Sequence, residues 1–256
     1  MNEHKANLIP YDNGAAAVHA YVGDSCCGRF NKLTNYPTVP DERFDGRHQC
    51  IILDIRENTT LTGSTDAYLY LNVNAGVTLT LGNVHFDGIT IYHDGDITIK
   101  GKTRNENEFD NEDILIRALK DTTVTLDNFE TDRLYIQPNE DNIQSMTLNL
   151  VGTSKLDHGL FCHKTLLHAK GNGTLKCNSL YGSGMDLLDS SIIVDSGNIV
   201  VDSGMEITDC AILIDQGDDA LTMLPIVMNG GTLIANGNLY AIGKWNHSLR
   251  KTEFFP

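Results

Sequence analysis

A residue class that returns every 20 positions leaves a chain few architectures to adopt. Three consecutive blocks of this sequence align without gaps at that offset: "DSSIIVDSGNIVVDSGMEIT" from Asp189, "DCAILIDQGDDALTMLPIVM" from Asp209 and "NGGTLIANGNLYAIG" from Asn229. Ile193, Leu213 and Leu233 fall in one column, and Val194, Ile214 and Ile234 in the next. Gly197, Gly217 and Gly237 coincide, followed by Asn198, Asp218 and Asn238. The same offset relates "YLYLNVNAGVTLTLG" from Tyr68 to "GITIYHDGDITIKG" from Gly88, and sets Ile51 and Leu53 ahead of Leu71 and Val73. Between these regions the pattern continues with insertions through 114–126, 134–150 and 165–177.

Each unit holds two short runs of alternating apolar and polar residues joined by Gly, Asn or Asp, the signature of strands with one buried face. Helical periodicity is nearly absent. A two-residue link also suits an antiparallel hairpin, but a sandwich gives no reason for residue classes to recur at a fixed interval. A coil stacked on the next coil does, because each position then lies over its counterpart at about one strand spacing, roughly 4.8 Å. The expected fold is all-β: a right-handed single-stranded parallel β-helix with coils of about 20 residues. It should occupy residues 48–243. Residues 1–47 stand outside the repeat and are expected to form a cap or a docking segment, since an open solenoid end exposes strand edges. Residues 244–256 form a tail with the chain's one Trp, Trp245, and two late aromatics, Phe254 and Phe255.

Composition narrows the function. A net charge of −15 argues against nucleic acid, whose phosphates need a basic face, and against an anionic membrane surface. No apolar run is long enough to span a bilayer. The first residues make a poor signal peptide, so the chain is expected to be made in a cytoplasm, and to reach a virion if it is phage-derived. Cys26, Cys27, Cys50, Cys162, Cys177 and Cys210 form no C-x-x-C pair, and reduced thiols are expected. The stretch "DHGLFCHKTLLHAK" carries Asp157, His158, Cys162, His163 and His168. Its spacing puts no three of them on one face of a strand or helix, so a surface loop with incidental histidines is expected rather than a transition-metal site.

The segment "DQGDDAL", Asp215 to Leu221, is the sharpest chemical feature. In the 20-residue register Gly217 is a recurrent turn glycine, where positive φ costs little. Asp218 lies between Asn198 and Asn238, where two amides can satisfy it. Asp219 shares its column with inward Ile199 and Leu239, so either the strand slips there or the carboxylate turns outward for a purpose. Two further acidic stacks are expected, Asp195 over Asp215 and Asp189 over Asp209. Like charges about 5 Å apart repel by roughly 1 kcal/mol in water, so these are solvent-facing turns or a Ca²⁺ site drawn from Asp195, Asp215, Asp218 and Asp219. No catalytic residue is assigned; in an enzyme the candidates would be Asp215, Asp218 and Asp219.

"GDDAL" resembles the G-D-D segment of the polygalacturonases, β-helical pectin hydrolases. That family also has N-T-D about one coil earlier, G-H-G about one coil later, and then R-I-K. This chain has Gly197-Asn198-Ile199, Gly237-Asn238-Leu239 and no R-I-K, so the resemblance does not carry hydrolase chemistry with it. "GDDALTMLPIVMNGGTLIANGN" resembles coils of bacterial carbohydrate-binding β-helix proteins with calcium sites, over about 25 residues. A non-repeat N-terminal segment before an acidic β-helix resembles phage tailspikes. The resemblances imply a non-enzymatic structural or attachment component, such as a phage spike, fibre or decoration protein. The alternatives are a calcium-assisted carbohydrate-binding β-helix, then a polysaccharide hydrolase or lyase. Expected partners are copies of the same chain, as a trimer meeting through Trp245, Phe254 and Phe255, or other virion proteins, with a glycan as the candidate ligand.

Overall fold

The computed structural model describes residues 4–8, 18–22, 50–63, 68–86, 88–103, 113–139, 142–179, 182–204, 210–217, 224–238, 240–246 and 251–255, and every structural statement below concerns these residues. In chain order the strands begin with β1 (His4–Leu8), β2 (Val18–Val22), β3 (Cys50–Ile55), β4 (Thr59–Gly63), β5 (Tyr68–Val73) and β6 (Thr78–Val84). Next come β7 (Gly88–His93), β8 (Ile97–Thr103), β9 (Asp113–Ala118), β10 (Thr123–Thr131), β11 (Arg133–Pro138) and β12 (Gln144–Val151). They continue with β13 (Thr153–Leu156), β14 (Leu160–His163), β15 (Thr165–Gly171), β16 (Thr174–Cys177), β17 (Met185–Leu188) and β18 (Ser191–Val194). The last are β19 (Asn198–Asp202), β20 (Cys210–Asp215), β21 (Ile226–Met228), β22 (Thr232–Asn236), β23 (Tyr240–Asn246) and β24 (Lys251–Phe255). No helix occurs among the described residues, and none is long and apolar enough to cross a membrane.

The strands build a β-solenoid. One sheet of 13 strands runs β1-β4-β6-β8-β10-β12-β15-β18-β21, with β13, β16, β19 and β22 branching from β10 as a third face. The second sheet, of 11 strands, runs β2-β3-β5-β7-β9-β11-β14-β17-β20-β23-β24. Pairing is parallel up to β23, and β24 then folds back antiparallel on β23, with Trp245 opposite Thr252. Two stretches of the N-terminal segment lie on the first coil in parallel register: His4 pairs with Thr59 and Val18 with Ile51.

Strand alternation sends every second side chain into one continuous core. Along the second sheet Leu69, Ile89, Ile114, Leu134, Leu160, Met185 and Ile212 succeed one another coil by coil. Beside them run Leu71, Ile91, Ile116, Ile136, Cys162, Leu187 and Ile214. The facing column Val124, Leu148, Ala169 and Val194 closes the core from the first sheet, all four buried. Each fully buried side chain of this size contributes roughly 1.5–3 kcal/mol.

The offset between coils is not constant. Tyr68 pairs with Gly88, 20 residues on, as the repeat required. Leu53, however, pairs with Leu71, and Ile51 with Leu69, so the expected match of Ile51 to Leu71 is two residues too long. The mean spacing is about 24 residues. It lengthens toward the C-terminal end: Ile192 pairs with Ile226 and Asn198 with Thr232. Ile193, Leu213 and Leu233 therefore do not form a column. Ile193 pairs with His168 and Val227 in the first sheet, Leu213 with Asp186 and Gly243 in the second, and Leu233 with Ile199 on the third face. The 20-residue alignment stepped from one face to another, because each face presents the same alternation and the same turn chemistry.

The recurrent turn column is real with other members. Asn83, Asn128, Gly152, Gly197 and Gly231 have φ of 58, 49, 63, 81 and 67° at the corner between the first sheet and its third face. Gly101 (φ 85°) and Gly171 (φ 114°) lie on the same edge. Gly197 stacks between Gly173 and Gly231 through the backbone bonds of Asn198 and Thr232; Gly217 and Gly237 are not in its column. At Gly101 an added Cβ would land on the Leu81 carbonyl oxygen as well as meeting the left-handed φ. Gly101→Ala is expected to cost about 2 kcal/mol or more, read as a lowered urea midpoint at unchanged m-value. A wild-type midpoint would show that this corner has room to relax.

Candidate functional site

The outward residues of the second sheet form columns as regular as the inward ones. Tyr70, Thr90, Leu115, Tyr135, Phe161, Asp186 and Leu213 follow one another across adjacent strands. Beside them Tyr68 and Tyr70 have ring centroids 5.1 Å apart, and the Tyr68 hydroxyl bonds the Thr90 hydroxyl at 3.0 Å. The Tyr135 and Phe161 rings stack with centroids 4.8 Å apart and planes 20° from parallel. That separation equals the strand spacing, so the stack runs along the solenoid axis and the far face of Phe161 looks toward the next position, Asp186.

A small side chain between two bulky ones leaves a depression. Asp186, between Phe161 and Leu213, sits in a concavity of about 310 Å³ walled by Tyr135, Gln137, Phe161, His163, Leu188 and Asp215. The wall contains no Lys or Arg. Burial, reinforced by the charge of Asp215, pushes the Asp186 carboxyl up to about 6, although the Ser183 hydroxyl acts in the opposite direction. Its Oδ1 is enclosed and has no hydrogen-bond partner. A carboxylate in such a place is costly unless something pairs it.

The sequence-derived site residues fall differently. Asp215 lines this concavity, and its carbonyl accepts the Asp189 backbone N–H at 2.7 Å. Asp195 lies at a corner of the first sheet, away from Asp215. It accepts from Asn229 Nδ2 at 2.7 Å and sits 3.0 Å from His168 Nδ1. The Asn229 amide, and after it His168, hold the Asp195 carboxyl below its usual range. The expected stack of Asp195 on Asp215 therefore does not form; the 20-residue offset had crossed from one sheet to the other. Asp189 Oδ1 accepts the Gly217 N–H at 2.7 Å. Asp209, Asp218 and Asp219 lie outside the described residues. Among the described residues no group of three His, Cys, Asp or Glu side chains is placed to hold a metal ion.

The acid–amide ladder imagined for Asp218 exists with other partners. Asn72 donates to Asp54 at 2.7 Å and Asn236 to Asp202 at 2.8 Å, each across one coil step. Of the histidines of "DHGLFCHKTLLHAK", His158 lies in the bend between β13 and β14, as a loop was expected, whereas His163 and His168 lie on β14 and β15. His158 approaches Asp132 at 3.7 Å, His163 lines the concavity and His168 meets Asp195. Cys162, Cys177 and Cys210 are unbridged and buried, and burial raises all three thiols, Cys162 to about 12. They act as small apolar core residues.

Sequence reasoning missed Asp186, Tyr135 and Phe161. Aromatics are only 7% of the chain and look scattered along it. Tyr135 and Phe161 are 26 positions apart, and only the 26-residue step from Leu134 to Leu160 brings them together. The available signal was the alternation itself, since both residues hold outward positions of their strands. No family model, curated protein or solved structure matches the chain.

Proposed function

We propose that the chain is a glycan-recognising β-solenoid, the carbohydrate-contact component of a larger attachment assembly such as a phage spike, fibre or decoration protein. The observation that carries this reading is the outer face of the second sheet, where the Tyr135–Phe161 stack opens onto a concavity edged by Asp186 and Asp215. Aromatic faces take the apolar faces of sugar rings, and carboxylates accept from sugar hydroxyls. A long sheet face also suits an extended polymer. Glycan-array screening followed by titration calorimetry tests the reading. Tyr135→Ala and Phe161→Ala are each expected to weaken the best glycan roughly tenfold without shifting the melting temperature by more than a few degrees. Failure of the folded protein to bind any saccharide would remove the reading.

Hydrolysis is the second reading, favoured by the same two carboxylates. Asp186 and Asp215 are diagonal neighbours on β17 and β20, which strand geometry sets roughly 8 Å apart, within the window for inverting glycosidases. A carboxyl raised to about 6 suits a general acid. Recognition ranks first because Asp186 Oδ1 is enclosed and the Ser183 hydroxyl bonds the same carboxyl, which leaves Asp186 less free to give a proton to a glycosidic oxygen. Release of reducing ends by wild type, lost in Asp186→Asn, would reverse that order.

A further inference from the structure

We infer that the concavity on the second sheet selects a cationic saccharide, an amino sugar whose ammonium sits against Phe161 between Asp186 and Asp215. The inference rests on the glycan-binding reading and names the class of sugar.

Its first support is charge. Two carboxylates line one concavity of about 310 Å³ whose wall carries no Lys or Arg. Asp186 Oδ1 is enclosed without a hydrogen-bond partner. Buried charges are retained where something neutralises them, and no ion pair involving Asp186 occurs among the described residues. Oδ1 itself is shut off from solvent, so a positive group held in the concavity offsets this charge through space rather than by contact. The chain's net charge of −15 would steer a cation inward and repel uronate or sulfated polymers.

The second support is shape and lining. A hard divalent ion wants six to eight oxygens, but Phe161, Leu187, Leu188 and Leu213 occupy much of this wall. An ammonium on a carbon skeleton fits better. It is drawn to an aromatic face, and the far face of Phe161 is turned toward the Asp186 position by its stacking on Tyr135. The sugar ring then lies over Leu188 and Leu213, with Gln137 and His163 at its rim.

The experiment is calorimetry at pH 6.5 with three hexamers: glucosamine, N-acetylglucosamine and glucose, all β-1,4-linked. The full chain is compared with Asp215→Asn and Asp186→Asn, each checked for wild-type circular dichroism. The glucosamine hexamer is expected to bind roughly tenfold more tightly than the other two, and each variant to level the three. Equal or tighter binding of the N-acetylated or glucose hexamer would overturn the cationic selectivity and leave glycan recognition standing. Binding of choline, lost in Asp215→Asn, with no hexamer bound would uphold the cation site and remove the glycan reading. No binding of any of these ligands would overturn the inference.

Discussion

Leu187→Asp should unfold most of the stability this domain has. Leu187 is fully buried, stacked between Cys162 on one side and Ile214 on the other. A carboxylate there has no cation within its column and no water, so the expected cost is about 4 kcal/mol or more. The neighbouring Ile214→Asp should cost less. Ile214 is next to the last coil and pairs with Lys244 of β23, whose ammonium can approach the new carboxylate. Urea denaturation of both variants checks the order. Equal losses would mean that Lys244 stays turned away, and a wild-type midpoint for Leu187→Asp would contradict the continuous core.

Asp186→Asn should do the opposite and stabilise the fold at neutral pH. The Asp186 carboxyl moves from 3.8 to about 6 on folding. Between those values the folded chain holds a proton that the unfolded chain has released, so this group lowers stability as pH rises through the window. At pH 7 the whole penalty applies, about 3 kcal/mol. Asparagine removes the charge but leaves an amide to satisfy, so a net gain of about 2 kcal/mol is expected. Measured at pH 4 and pH 7, the difference between variant and wild type should be small or reversed at the lower pH and largest at the higher. A variant no more stable than wild type at pH 7 would show that water or a neighbour already satisfies Asp186. A stability gain there is what a binding group kept at a cost to folding would produce.

Both predictions draw on columns that the sequence shows only in part. The offset of 20 from Tyr68 to Gly88 was legible because the first sheet takes the same step there, from Thr59 to Leu79 and from Thr78 to Thr98. Farther along, Asn198 pairs with Thr232 while Cys210 pairs with Tyr240, so the faces of one coil advance by different amounts. An alignment at a single offset then matches strands of different faces. That is how Asp195 came to be set over Asp215, although Asn229 is its true neighbour.

By itself the sequence determined the class of fold. Period-2 alternation requires strands, and recurrent Gly and Asn turns at nearly regular spacing require coils that stack, because only stacking buries every inward row. It also showed the alternation within each strand, a local property of the backbone, but not which face looks inward where both carry apolar residues: Ile234 shares a sequence column with buried Val194 and Ile214 yet is exposed. The tertiary structure alone decided which coil position lies over which. That depends on the number of residues each corner and loop consumes, a quantity with no periodic signal. The candidate site depends on it entirely. Tyr135, Phe161, Asp186 and Asp215 are far apart in the chain and ordinary where they stand, and become a concavity only when β11, β14, β17 and β20 are set side by side.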